Sequence, residues 1–301
     1  MATPQTGIFA LGTMSHAYLE FDARPGIEAR GLVGAVASLR EPRTTIGGVN
    51  LVAGFRPELW ASVAPDAAPP GLTGFDEPLV AADGYTLPAT QHDVVVGLAG
   101  AAYDVVFDLS RTVVAALASQ AILAHEAVGW PYHRDLDLTG FEDGTENPTL
   151  VEGTSVAVVE AGAPGEGGSV LLLQQWEHDA AAWESLPVSQ QEQVIGRRKV
   201  GGKELDPRPE SSHVARTDQD RLGRIFRRNI GYGALAQHGT IFVGYSRDRA
   251  RLEAMLRSML GEPSGPSDRL IRFTRPLTGA YYFVPSIEAL ATFASEPAGD
   301  D

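Results

Sequence analysis

The chain predicts an α+β fold built from two βαββαβ units, on three observations. Strand-like and helix-like stretches occur in that order twice along its 301 residues. Each half is long enough to bury a core of its own. Between the halves, residues 140–148 pack glycines, a proline and acidic or amide side chains into a turn-forming stretch. The boundary is placed near residue 150, giving units 1–150 and 151–301.

In the first half, Ser15–Phe21 alternates and reads as a strand, and Gly26–Leu39 carries apolar residues at helical spacing (Ile27, Leu32, Val33, Val36, Leu39). Val49–Phe55 is a second strand. A short helix is expected around Pro57–Trp60, followed by loop rich in Pro and Gly to residue 90. His92–Leu98 is a third strand, Tyr103–Ser119 a second helix and Ala121–Val128 a fourth strand, which completes a split, ferredoxin-like order. The second half repeats the pattern without repeating the sequence. Thr154–Val159 is β-branched and strand-like, Ser169–Trp176 is a strand, and Asp179–Ile195 is a helix broken at Pro187. Arg224–Ile230 and Thr240–Ser246 are strands, Arg247–Leu260 a helix and Ala280–Val284 the last strand. Residues 200–223 are Gly, Pro and charge; so much irregular chain in a compact domain points to function or disorder, and it carries His213.

A hydrophobic fraction of 44% with 21% charged residues is globular composition, and no apolar run approaches the ~20 residues of a membrane span. The start, Met1–Gly7, lacks the basic and apolar regions of an export signal, so a cytoplasmic location is expected. With no cysteine, disulfides, thiolate-bound zinc, iron–sulfur clusters and thiolate-ligated haem are excluded. A formal charge of −14 opposes binding to nucleic acid and to anionic membranes. Against that background, Arg197–Arg228 holds ten Lys or Arg and five Asp or Glu, a local excess that suits an anionic ligand or a solvated basic face.

Gly140-Phe141-Glu142-Asp143-Gly144-Thr145-Glu146-Asn147-Pro148 admits three readings. It is a connector of turn formers. It is a calcium loop running from Asp135 through Asp137 and Thr139 to Glu146, although Pro131 upstream and the strand-like Thr154–Val159 downstream deny that loop its two helices. Or it is a rigid turn that holds a catalytic carboxylate.

The third reading has a family attached to it. The stretch resembles the GxxDG signature of dye-decolorizing peroxidases. Further segments resemble that family in order: Gly168-Ser169 with Gln174–His178, Ile195-Gly196-Arg197, Ser212–Arg216, Arg227-Arg228-Asn229 and Arg272–Gly279. The compact length and the Arg-x-Asn at 227–229 resemble the bacterial B-type branch. The resemblance implies two ferredoxin-like units packed as a dimeric α+β barrel, with haem b held mainly by the C-terminal unit. It implies a haem-dependent peroxidase that uses H2O2 to oxidise dyes, phenolics and similar one-electron donors through a ferryl intermediate. The rival classes are a protein that binds or handles haem without turnover and a non-haem calcium-binding protein.

By family position, His213 is the axial and metal ligand and Asp268 the acceptor that fixes its tautomer. Asp143 is the implied general acid–base, Arg227 the fixed cation at the breaking O–O bond, and Asn229, on the same strand face as Arg227, the group that holds water between them. Arg228, on the opposite face, is expected in a salt bridge. Arg197 is expected on a haem propionate, Gly144 and Thr145 against the cofactor, and Phe242 as the aromatic that shapes the peroxide pocket. Trp176, Trp183, Tyr281 and Tyr282 are core residues or relays for oxidising equivalents. The expected partners are H2O2, a small reducing substrate and further copies of the chain. Glu296–Asp301 is acidic and lacks the peptide that docks some bacterial members in an encapsulin shell, so packaging is not expected.

Overall fold

Ser15–Phe21 are buried without interruption, which a strand achieves only when both of its faces are covered. This strand, β1 (Ser15–Ala23), lies between β5 (Val94–Gly100) and β6 (Ala121–Trp130), and β5 in turn pairs with β2 (Val49–Phe55). The order β2-β5-β1-β6 is antiparallel throughout. A two-stranded hairpin, β3 (Leu79–Val80) with β4 (Thr86–Leu87), projects from the link between β2 and β5. In the computed structural model, which describes residues 2–40, 48–133 and 135–294, the acidic tail Glu296–Asp301 and Met1 lie outside the described residues.

The second half builds the same order from β7 (Ser169–His178), β8 (Phe226–Gly233), β9 (His238–Ser246) and β11 (Ala280–Val284), with β7 between β9 and β11 and β8 outside β9. A short β10 (Thr274–Pro276) extends the edge beside the end of β7. Two narrow seams join the halves: β6 to β8 through Gly129↔Tyr232 and Trp130↔Gly231, and β2 to β11 through Phe55↔Phe283. Since β7 also pairs with β9, the eight long strands close into a barrel, as expected of two βαββαβ units. The first seam needs a glycine: a Cβ on Gly129 would stand 2.4 Å from the Gly231 carbonyl oxygen.

Alternation along each strand then sorts the side chains. Tyr18, Val52, Val95, Leu171, Ile241 and Tyr282 fill the barrel, whereas Ala17, Leu19 and Phe21 face helices outside it. Those helices are α1 (Ala29–Ala37), α2 (Pro57–Val63) and α3 (Tyr103–Leu117) on the first unit. On the second they are α4 (Leu150–Ala157), α5 (Ala180–Glu184), α6 (Val188–Ile195), α7 (His213–Arg216), α8 (Gln219–Leu222) and α9 (Arg249–Met259), while α10 (Ile287–Ala291) returns to pack on the first unit's core. No helix among the described residues is long and apolar enough to cross a membrane.

Two sequence expectations change. The Thr154–Val159 run is largely the end of α4 rather than a strand. Thr149 accepts from the Glu152 N–H at 3.3 Å while the Glu152 carboxylate accepts from the Thr149 N–H at 3.1 Å, and this reciprocal cap outweighs the β-branched side chains that follow. Arg228 does face the barrel side, away from Arg227, but among the described residues it makes no salt bridge. Its guanidinium donates to the carbonyls of Gly7, Ile8 and Ala10 and so ties down the N-terminal turn. The break at Pro187 between α5 and α6 falls where expected.

Candidate active site

The outer face of β7, β8 and β9 is not covered directly by α9. Between them lies a cavity of about 940 Å³, counting its mouth, with walls of Leu172, Trp176, Phe242, Leu252, Met255 and Ile271 among others. That apolar lining is the character of a small-molecule or cofactor pocket. Its polar groups gather on two sides.

One side is set by α7. Pro209 and Ser212 form a tight turn, with the Ser212 N–H donating to the Pro209 carbonyl at 3.0 Å and the hydroxyl to the same oxygen at 2.7 Å. Ser212 is fully buried and begins α7, so His213 is presented from the first helical position. The fit depends on Gly196, which ends α6 at φ 96° and lies so close that a Cβ would stand 2.6 Å from Ser212 Oγ. His213 Nδ1 meets Asp268 Oδ2 at 2.7 Å. The other Asp268 oxygen accepts the Leu270 N–H at 2.8 Å, capping the 3-10 turn Arg269–Arg272. The carboxylate thus serves both as a cap and as the histidine's acceptor. Burial lowers the imidazole pKa, but the Asp268 charge and hydrogen bond outweigh it and the net shift is upward.

The other side joins the midpoint loop to β8. Asn147 pairs with the backbone of Arg227 as a strand residue would, its amide donating to Arg227 O at 2.7 Å and its carbonyl accepting from Arg227 N at 3.0 Å. Gly144, at φ 70°, makes the turn that puts Asn147 there. Asp143 then lies across Arg227 and Asn229: Oδ1 accepts Arg227 Nη1 at 3.0 Å and Asn229 Nδ2 at 2.8 Å, and Oδ2 accepts the Asn229 N–H at 3.2 Å. Asn229 therefore bonds Asp143 directly.

A small core welds the two sides together. Phe141 of the midpoint loop, Trp183 of α5, Val194 and Ile195 of α6 and Val214 beside His213 pack as one cluster. The Trp183 indole N–H donates to Thr139 O at 3.0 Å. Each fully buried side chain of this kind contributes about 1.5–3 kcal/mol, so the loop and α7 are held as a unit.

The structure brings His213, Arg227, Asn229 and Phe242 into the wall of one cavity, His213 on one side with Asp268 bonded to it, Arg227 and Asn229 on the other with Asp143 bonded to both. Three expected contacts are absent from that wall. Gly144 and Thr145 do not line it: Gly144 shapes the turn and Thr145 is exposed. Arg197 does not line it either, because its guanidinium is taken by Glu146 at 2.7 Å, Glu204 at 2.8 Å and the Gly202 carbonyl at 3.1 Å. It reaches the cavity only through Glu146, which does line it. Much of the basic excess in 197–228 is consumed in the same way, as Arg208 binds Glu204 and Asp218.

Reading the residues singly missed Asn147, Asp137 and Gln174. Asp137 lines the cavity, its carboxylate accepting from Thr139, with its pKa raised first by burial. Gln174 lines it too, and its buried Nε2 has no hydrogen-bond partner among the described residues. Its signal was present: it alternates with Leu172 and Trp176 on one face of β7. Trp176 is a wall residue, whereas Trp183, Tyr281 and Tyr282 are core.

A family model described as "Dyp-type peroxidase, C-terminal" matches residues 134–289. The chain is 34% identical over 270 residues to a dye-decolorizing peroxidase of Mycolicibacterium paratuberculosis, across 86% of this chain and 75% of that protein. The crystal structure of a dye-decolorizing peroxidase from Bacteroides thetaiotaomicron superposes with a TM-score of 0.89 at 26% identity, over 98% of this chain and 99% of the other. A variant of Rhodococcus jostii RHA1 DypB in complex with heme superposes with a TM-score of 0.85 at 32% identity, over 96% and 98%.

Proposed function

The chain belongs to the dye-decolorizing peroxidase family and is a haem peroxidase, and on that premise we propose that its cavity holds haem b through His213 while Arg227, Asp143 and Asn229 act on bound H2O2. The residues fit the cofactor. The pocket is apolar, the Asp268 bond to Nδ1 leaves Nε2 as the coordinating nitrogen, and Gln174 offers an unused buried donor. Bound haem iron supplies the site of peroxide reduction and stores the oxidising equivalents for the donor.

The chain's own residues do the rest. The Asp143 carboxylate accepts in each of its described hydrogen bonds, and in this reading it takes the proton from one peroxide oxygen and returns it to the other. Arg227 offers a fixed positive charge to the negative charge that grows on the leaving oxygen. Asn229 orients Asp143 through two hydrogen bonds, a more direct role than holding water. Arg197 takes up a propionate by exchanging one of its two carboxylate partners.

The observation that carries turnover over mere haem handling is the assembled Arg227–Asp143–Asn229 set, which a carrier does not need. Ferric holoprotein mixed with one equivalent of H2O2 is expected to change its Soret band and to return to the starting spectrum when a phenolic donor is added. An unchanged band with no peroxide consumed overturns the reading.

A further inference from the structure

His178 and Thr274 belong to two concavities at once. They line the main cavity, and they also line a depression on the outer surface with Arg272, Phe273 and Arg275. The two residues face each other in the β10–β7 ladder, so they form a single piece of wall between surface and cavity. We propose that this depression docks an aromatic donor bearing a carboxylate or sulfonate, with Arg272 on the anion and His178 on the phenol hydroxyl. The proposal rests on the peroxidase reading and names a donor class for it.

The rim charges decide the ligand. Arg275 is paired with Glu177 at 3.0 Å. Asp179 is used as the cap of α5, accepting the Ala182 N–H at 3.0 Å. Arg272 is exposed and has no ion pair or hydrogen bond among the described residues. In a chain of net charge −14, such an arginine is the local attraction for an anion. The half-buried Phe273 ring beside it gives an aromatic donor a surface to lie against.

His178 suits the other end. Burial, and next the His238 charge, lower its pKa to about 4, so the ring is neutral at working pH. Its Nε2 meets Thr240 Oγ1 at 3.0 Å, and Nδ1 has no partner among the described residues. A phenol hydroxyl both donates and accepts, so it pairs with either tautomer. When the donor is oxidised, one electron passes to the centre oxidised by peroxide, the O–H proton passes to the imidazole, and a phenoxyl radical leaves with its anionic group intact.

The test uses holoenzyme and 4-hydroxybenzenesulfonate. Without peroxide, calorimetry is expected to show binding that weakens with salt and falls about fivefold in Arg272→Ala, with Arg272→Lys retaining most of it. With peroxide, Arg272→Ala raises KM for the sulfonate by the same factor, leaving kcat and the KM for phenol unchanged, while His178→Leu raises KM for both. Equal sulfonate binding by wild type and Arg272→Ala, or a KM that rises alike for phenol and sulfonate in Arg272→Ala, overturns the proposal. Failure of the peroxidase reading shows differently: neither donor is oxidised, while the calorimetric result stands.

Discussion

The two units each leave a groove between the outer face of the first strand and the helix that precedes the last strand. In the first unit it lies between β1 and α3, and in the second between β7 and α9. Their linings separate them. The first groove is walled by residues such as Leu19, Val106, Phe107 and Val128 with Arg111 and Glu126 as its charged groups, and among the described residues no histidine enters it. The connections differ as well. Residues 24–48 link β1 to β2 and carry α1 alone among the described elements, whereas residues 179–225 link β7 to β8 and carry α5 to α8 with His213. The midpoint loop adds Asp143 from the opposite side. The repeated scaffold supplies a groove, and the inserted chain supplies chemistry.

The largest effect should come from removing the group that only the second connection provides. His213→Ala is expected to abolish stable haem retention while the barrel survives, because the barrel interior is filled by other residues, Tyr18, Leu171, Ile241 and Tyr282 among them. Gel filtration of haem-loaded variant, followed by Soret absorbance and far-UV circular dichroism, checks both halves of that statement. A wild-type Soret band and stoichiometry would show that the second groove holds haem without its histidine.

The next effect concerns the pair across the cavity. Arg227→Leu is expected to slow the first peroxide-dependent absorbance change by about 10²–10³, the typical cost of losing one preorganised donor at a developing negative charge. Asp143→Ala should slow it less, and the double variant should be non-additive because both groups act on one transition state. The hydrogen bonds among Asp143, Arg227 and Asn229 sharpen this expectation, since losing Arg227 also frees the carboxylate it orients. Wild-type rates in Arg227→Leu under stopped flow would remove the arginine from the mechanism.

How far the sequence reveals this contrast depends on range. Strands such as Val49–Phe55 and Ala280–Val284 are legible to the residue because a short, largely apolar run is a local property. Thr154–Val159 misleads because six β-branched or small residues outvote a capping box that lies just before them. Barrel closure is not legible in periodicity at all; it rests on seams between residues such as Phe55 and Phe283, and came only from the family resemblance. The same holds for His213 and Asp268, which are 55 positions apart. Arg197 shows the converse. Its basic neighbourhood suggests a free cation, yet Glu146 from the midpoint loop joins Glu204 of its own stretch in closing on it, and no count along 197–228 can foresee the first.

Arg197→Leu consequently tests whether the second groove borrows its cation from the ion-pair network. Haem affinity is expected to fall by about 10–100-fold, the equivalent of ~1.5–3 kcal/mol for a charged hydrogen bond, measured by transfer to apomyoglobin. Unchanged transfer would mean that Glu146 and Glu204 keep the guanidinium in the holoprotein, and that Arg197 only braces the loop.

The smallest expected effect belongs to the first unit, which also buries a carboxyl but to a different end. Glu20 of β1 is 2% exposed and accepts from the Tyr282 hydroxyl at 2.5 Å inside the barrel. Asp143 has a guanidinium; Glu20 has only a phenol at hydrogen-bond distance among the described residues, with His125 and His92 farther off favouring its charge and Asp22 opposing it. Burial is the largest influence and its pKa is raised. A carboxyl raised on folding contributes stability that is fully present below its unfolded pKa of about 4.3 and is lost as pH climbs through the folded value. Glu20→Gln keeps an acceptor for Tyr282 and removes that titration. The variant and the wild type should therefore melt together near pH 4, and the variant should melt higher by roughly 2–4 °C at pH 8, the response of a domain to about 1 kcal/mol. Its first peroxide-dependent phase should match wild type, because the barrel interior faces away from the cavity. A Tm difference that is constant across pH would show that Glu20 does not titrate in this range, and a slowed peroxide phase would break the division of labour between the two units.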